Sequence, residues 1–183
     1  RELSNRGGFA VGPLLNLGRR TVEESDAREV NKALLELPAA SVPGLIGALD
    51  VPDRDWQRRI VNVLLLRAEI GEDLKPALPA LQILLSDKDL PEDTRLLATK
   101  LVGHLRGVEA KRLPTIPDML SETADQMYQG NYPFPEGTAN QVFRWAKGKG
   151  LVPGTIEGQE IPVVSKPQAA QYWGTRSARA ALE

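Results

Sequence analysis

The sequence predicts a mainly α-helical fold, a short α-solenoid of antiparallel helix pairs with a small β-hairpin or irregular insertion before the C-terminal helix. Two observations carry this prediction. Of the 183 residues, 42% are hydrophobic but only 5% are aromatic, and a core of aliphatic side chains suits packed helices better than a β-sandwich. The chain also repeats at an offset of 36 residues, a period typical of stacked helix pairs.

The repeat aligns without a gap and holds seven identities, where unrelated windows of that length share about two at average composition. The identical pairs are Pro43 with Pro79, Leu45 with Leu81, Leu49 with Leu85, Asp53 with Asp89, Arg59 with Arg95, Leu65 with Leu101 and Gly71 with Gly107. We expect the prolines in the first or second turn of the first helix, where their missing N–H costs little. We expect the glycines at the end of the second helix.

The elements follow in chain order. Residues 1–21 are glycine-rich and poorly periodic, which predicts an irregular lead-in. Residues 22–129 carry the helix pairs. Residues 130–166 are punctuated by turn formers and include strand-like runs, which predicts one or two short β-hairpins. Residues 167–183 have a helical pattern, which we interpret as the truncated opening of a further helical repeat.

The repeated unit resembles the HEAT repeat of the armadillo-like superfamily. The shared features are a Pro-x-Leu start, an Asp-rich turn, an arginine, an Ala/Leu stripe and a closing glycine. Residues 78–107 are the clearest copy, 42–71 are a weaker one, and 113–120 resemble the first helix of a third. The resemblance implies a solenoid whose second helices line a concave face that receives another protein.

On this basis we expect a partner-binding surface on the second helices. Its predicted members are Trp56, Arg58, Asn62, Lys100 and His104. Tryptophan and arginine dominate the energetics of protein interfaces, so Trp56 is a candidate anchor. A Trp56 that is buried between repeats is the alternative.

The recurring arginines also allow two interpretations. Arg59 and Arg95 could face the concave groove. The favoured alternative is structural: each guanidinium pairs with a turn carboxylate, Asp53 or Asp89, and so forms a ladder through the stack.

Composition excludes several kinds of site. The chain has no cysteine and one histidine, which excludes disulfides, thiolate zinc sites and cysteine nucleophiles. His104 therefore has no second His or Cys as a metal partner, and we predict a surface histidine. The acidic residues in 87–93 lack the spacing of a calcium-binding EF-hand loop and are interpreted as an inter-helix turn. We predict no catalytic residue, no metal and no cofactor.

The leading hypothesis is a non-catalytic scaffold that binds a protein partner or a neighbouring subunit. One alternative is a nucleic-acid-associated HEAT-like protein, because aromatic and basic residues cluster in one region and could stack on a single strand. These residues are Tyr132, Phe134, Phe143, Arg144, Trp145, Lys147 and Lys149. The net charge of −1 disfavours that alternative.

A second alternative is the regulatory part of a larger enzyme. Because no apolar run approaches the roughly 18 residues of a membrane helix, we predict no transmembrane segment. The cellular compartment is left open, since a targeting segment could be absent from this chain.

Overall fold

A computed structural model of the chain describes residues 8–20, 24–134, 140–156, 159–160 and 163–182. Its helices are α1 (Val11–Arg20), α2 (Glu24–Leu35), α3 (Val42–Ala48), α4 (Arg54–Glu69), α5 (Leu78–Ser86), α6 (Glu92–Arg106), α7 (Ile116–Tyr128) and α8 (Lys166–Leu182). Its strands are β1 (Asn140–Gln141), β2 (Phe143–Ala146), β3 (Gly150–Pro153), β4 (Thr155–Ile156), β5 (Gln159–Glu160) and β6 (Val163–Val164). The predicted mainly helical fold with a small antiparallel β element before the last helix is confirmed.

The helices pack as pairs: α1 with α2, α3 with α4, α5 with α6, and α7 with α8. The second members α2, α4 and α6 lie side by side. Ion pairs link α4 and α6 in the same order along both helices, Arg58 with Asp93 and then Glu69 with Lys100, so these two helices run parallel.

The two copies of the repeat begin and end alike. A 3-10 turn precedes α3 and another precedes α5, and Pro43 and Pro79 occupy the first turn of each helix. Gly71 and Gly107 follow α4 and α6 with φ angles of +94° and +68°. This left-handed region favours glycine, which explains why the residue recurs at that position.

The predicted irregular lead-in is corrected by the structure, because Val11–Arg20 form a helix with Val11 and Leu15 buried. Glycine in this segment marks close packing rather than irregular backbone. A Cβ on Gly18 would lie 2.4 Å from the Trp56 ring, so only glycine allows that approach. Residues 1–7 and 21 of the predicted lead-in lie outside the described residues.

Strands β2 and β3 form an antiparallel hairpin with Phe143 opposite Pro153 and Ala146 opposite Gly150. β1 pairs with β6 and β4 pairs with β5. The hairpin packs on α1 and α3, and Phe143 is fully buried there. A Cβ on Gly47 of α3 would lie 2.4 Å from the Phe143 Cβ, so the hairpin backbone requires glycine at this position. Residues 135–139, 157–158 and 161–162 of the predicted loop and hairpin segment lie outside the described residues.

The last helix, α8, closes the fold against α5 and α7. Arg176 donates from Nη2 to Asp50 Oδ1 at 2.7 Å and from Nη1 to the Tyr172 hydroxyl at 3.0 Å. Burial acts to lower the pKa of Arg176, but the charge and hydrogen bond of Asp50 raise it above its ordinary value. We call this contact the Asp50–Arg176 clasp. It links α8 to the turn after α3. The interpretation of α8 as the opening of a further helical repeat stays a prediction.

Candidate partner-binding face

Four of the five predicted partner-binding residues are exposed on α4 and α6, namely Arg58, Asn62, Lys100 and His104. We call this surface the second-helix face. The two residues on each helix are four positions apart, which places them on one side of that helix. Because the helices lie next to each other, the four side chains share one surface.

Trp56 does not belong to this surface. It is 5% exposed, and its ring packs against Gly18 of α1 while the Arg59 guanidinium lies 5.6 Å from the ring centroid. The first turn of α4 faces α1, where the missing side chain of Gly18 leaves room for the indole. Trp56 is therefore buried between helix pairs, the alternative considered for it, and is not an exposed anchor.

Opposite charges cross the second-helix face in two places. Arg58 Nε lies 3.5 Å from Asp93 Oδ2, and Lys100 Nζ lies 2.8 Å from Glu69 Oε1. The hydrogen bond from Lys100 and its charge lower the pKa of the Glu69 carboxyl. Exposed pairs of this kind add little stability, so these charges remain available to a partner.

Apolar side chains are interspersed with these charges. Leu96 of α6 is 68% exposed, and Leu66 of α4 is partly exposed. A surface that combines apolar groups with charged and amide groups is typical of non-obligate protein interfaces. The arrangement can bind a complementary surface.

The two recurring arginines have different partners. Arg95 donates to the carbonyl oxygens of Leu85 at 2.8 Å and Asp87 at 2.7 Å, whereas Arg59 lies over the Trp56 ring. Neither contact is the predicted pair with a turn carboxylate. An arginine side chain can donate hydrogen bonds to the last carbonyl oxygens of a helix. At the end of α5, Arg95 makes these hydrogen bonds in place of the expected ion pair.

The turn aspartates also differ from the expectation. Asp53 caps α4, since its Oδ1 accepts from the backbone N–H groups of Asp55 and Trp56. Asp89 instead donates its backbone N–H to Asp87 Oδ1 at 2.9 Å. The two residues align in the sequence but have different roles in the turns.

A shift of two residues explains the difference. α4 begins at Arg54 and α6 at Glu92, 38 residues apart, although the closing glycines are 36 apart. The structural counterpart of Arg95 is thus Gln57, whose Nε2 donates to the Leu49 carbonyl at 3.1 Å. The ungapped sequence repeat conceals this shift.

Sequence reasoning missed Arg67. It is 3% exposed, pairs with Glu72 through Nε and Nη2, and donates from Nη1 to the Leu34 carbonyl at 3.3 Å. It thereby joins α2, α4 and the loop after α4. The available signal was a charged residue on the apolar side of α4.

Asp87 was predicted only as part of an acidic turn. Its carboxylate lies 2.7 Å from Arg54 Nη1 on the preceding helix pair. Burial acts to raise the pKa of Asp87, but hydrogen bonds from Arg54 and the Asp89 N–H, with the charges of Arg54 and Arg95, lower it below its ordinary value. The residue therefore links the two copies of the repeat.

Across the described ranges, no group of three or more His, Cys, Asp or Glu side chains is arranged to hold a metal ion. In the same part of the chain, no helix has the length and apolar character needed to span a membrane.

The aromatic residues considered for nucleic-acid stacking occupy two different places. Phe143 and Trp145 belong to the hairpin on α3, where Phe143 is buried beside Phe9. Tyr132 and Phe134 lie after α7 with their ring centroids 4.9 Å apart. They do not form a single exposed platform.

Comparison with protein-family models, with curated proteins and with solved structures finds no match for this chain.

Proposed function

We propose that this chain is a non-catalytic, HEAT-like helical-repeat scaffold that binds a protein partner or neighbouring subunit through the second-helix face. The observation that carries the proposal is the difference between the two sides of the helix pairs. One side is covered by the chain itself, while the other presents Arg58, Asn62, Lys100 and His104 to solvent.

The first-helix side is covered by the C-terminal part of the chain. Strand β2 packs on α3, β3 packs on α1, and α8 packs on α5. Gly47 and Phe143 meet too closely for any side chain at position 47. These contacts leave no first-helix groove for a partner along α3, so the exposed surface of α4 and α6 is favoured.

The test is charge reversal on this face. A double variant, Arg58→Glu with Lys100→Glu, replaces two exposed cations and should abolish recovery of specific partners in affinity purification from the source cell. The matched control is Lys147→Glu with Lys149→Glu, which makes the same charge change on the exposed hairpin turn.

Loss of partners with the first variant and retention with the control would support the proposed face. Equal recovery with both variants would refute it. If only the hairpin variant lost its partners and those partners were nucleic acids, the nucleic-acid hypothesis would replace this one. Circular dichroism of both variants checks that the fold is intact.

A further inference from the structure

A cleft of about 710 Å³ lies between α7 and α8, and none of its lining residues belongs to the second-helix face. On α8 its lining includes Lys166, Ala170, Gly174 and Ala178, which recur at every fourth position. Residues with this spacing lie on one side of a helix, and at a rise of about 1.5 Å per residue they extend for about 18 Å. The cleft is therefore an elongated groove, about three helical turns in length.

The two sides of the cleft differ in the size of their side chains. On α8 the small residues Ala170, Gly174 and Ala178 let another backbone approach closely. The α7 side carries large apolar and aromatic residues, namely Met127, Tyr128, Tyr132 and Phe134. Burial raises the pKa of the Tyr132 phenol, whereas Tyr128 is 94% exposed. An apolar occupant therefore meets a hydrophobic wall and covers an exposed aromatic ring.

The backbone of the cleft favours a helical occupant over an extended one. Between Ala170 and Ala178 the α8 backbone is paired within the helix. The lining residues that follow α7 also have bonded N–H groups, those of Gly130, Tyr132 and Phe134. Among the described residues the cleft thus offers no strand edge, and an extended peptide would leave its own N–H groups without partners. A helix pairs its own backbone groups, so it can enter an apolar cleft without this cost.

The charged residues of the lining are Asp125 and Lys166, both exposed. Neither side chain forms an ion pair within the ranges that the structure describes. Gly174 faces Met127, since a Cβ on this glycine would lie 3.3 Å from the Met127 Cβ. Lys166 is about 12 Å along α8 from Gly174, and Asp125 is about 3 Å along α7 from Met127. The two charges therefore lie roughly 9–15 Å apart along the cleft, the length of roughly six to ten helical residues.

We propose that the cleft binds an amphipathic helix of a partner protein. Apolar residues of this helix, spaced by three and four positions, pack against the small residues of α8 and the aromatic residues of the α7 side. On the same face of the helix, an acidic residue pairs with Lys166 and a basic residue pairs with Asp125. Because the cleft is separate from the second-helix face, the chain can hold two partners at once.

Selection from a displayed library of random peptides of about 16 residues, roughly 24 Å as a helix, tests the proposal. The wild-type chain is the bait, and Ala178→Glu, which places a carboxylate at an exposed position of the cleft, serves in counter-selection. Enriched peptides should become helical on binding, as circular dichroism measures, and should bind Ala178→Glu at least about tenfold more weakly. They should carry an acidic and a basic residue about six to ten positions apart. No enrichment, enrichment of extended proline-containing peptides, or a wild-type chain that dimerises through the cleft would overturn the proposal.

Charge exchange tests the pairing with a selected peptide. Lys166→Glu should weaken binding by about fivefold or more, and replacing the acidic residue of the peptide by lysine should restore it. The matched control is Lys147→Glu, the same change at an exposed residue outside the cleft lining, which should bind like the wild type. Equal losses with both variants, or a loss that the exchanged peptide does not restore, would contradict the proposed pairing. Arg58→Glu with Lys100→Glu should select the same peptides as the wild type, so failure at the cleft is distinguishable from failure at the second-helix face.

Discussion

The helix pairs α3–α4 and α5–α6 share a sequence register but differ in how they pack. In the first pair, Gly44 and Gly47 let the N-terminal segment and the hairpin approach α3, whereas the second pair has Ala80 and Ile83 at the corresponding positions. The repeat thus specifies two similar helix pairs. Contacts with segments outside the repeat determine which residue each pair needs at aligned positions.

The two helix pairs also differ in how each is joined to the loop that follows it. The first pair holds Arg67 in its interior, paired with Glu72. The aligned residue of the second pair is Gly103, where a Cβ would lie 2.8 Å from the Val108 carbonyl oxygen. One pair is joined to its following loop by an ion pair, and the other by direct backbone contact.

The largest expected effect breaks the contact between α3 and the hairpin. Gly47→Ala should lower the free energy of unfolding by about 3 kcal/mol, because the added Cβ overlaps backbone and Cβ atoms of Phe143 and the strand must shift. Urea unfolding followed by circular dichroism measures the change.

Gly12→Ala is the matched control for Gly47→Ala. Its Cβ would lie 3.4 Å from the Leu151 Cβ of the same hairpin, an ordinary contact, so stability should be unchanged or slightly higher. If the two variants lost equal stability, close packing of the hairpin would not explain Gly47.

A smaller effect is expected from the buried arginine of the first pair. Arg67→Met should destabilise the chain by about 2–3 kcal/mol, because Glu72 loses its partner and the Leu34 carbonyl loses a donor. Arg59→Met, also on α4, removes a contact with the Trp56 ring and no hydrogen bond or ion pair among the described residues, so it should cost about 1 kcal/mol or less. Chemical denaturation of the two variants compares them, and equal losses would contradict the role assigned to Arg67.

The smallest effect concerns the turn of the second pair. Since the pKa of Asp87 is lowered in the folded chain, its carboxylate contributes stability above its unfolded pKa of about 3.9. That contribution is lost as pH falls through the lower folded pKa. Wild type and Asp87→Asn should therefore differ slightly at about pH 6 and converge once the pH falls below the folded pKa of Asp87.

Arg54→Met sharpens the test of Asp87 because it removes a hydrogen bond that lowers this pKa. The Asp87 carboxyl should then titrate at a higher pH in an NMR experiment. An unchanged titration would mean that Arg54 does not act on Asp87.

The sequence alone predicts the helix pairs, the hairpin and the exposure of four residues on α4 and α6, because these follow from local periodicity. It cannot show that Trp56 is buried, because burial of the ring depends on the close approach of Gly18 in α1. The glycine content of that segment led to the prediction of an irregular lead-in instead of a helix. It also misassigns Arg95, because the Asp89 carboxylate six residues away resembles a partner, whereas the guanidinium donates to backbone carbonyls at the end of α5.

Side chains that join distant segments were the hardest to predict. The partner of Arg176 is 126 residues away in the chain, and the contact of Gly47 with Phe143 likewise joins separate segments. A spacing pattern within one helix pair contains no information on such contacts.

The Asp50–Arg176 clasp has a consequence for chain length. Open helical-repeat stacks tolerate the gain or loss of a unit because each unit contacts only its neighbours. Here an added unit between Asp50 and α8 would carry Arg176 out of hydrogen-bonding reach and leave two charged groups unpaired. The clasp therefore constrains the number of helix pairs that fit between Asp50 and α8.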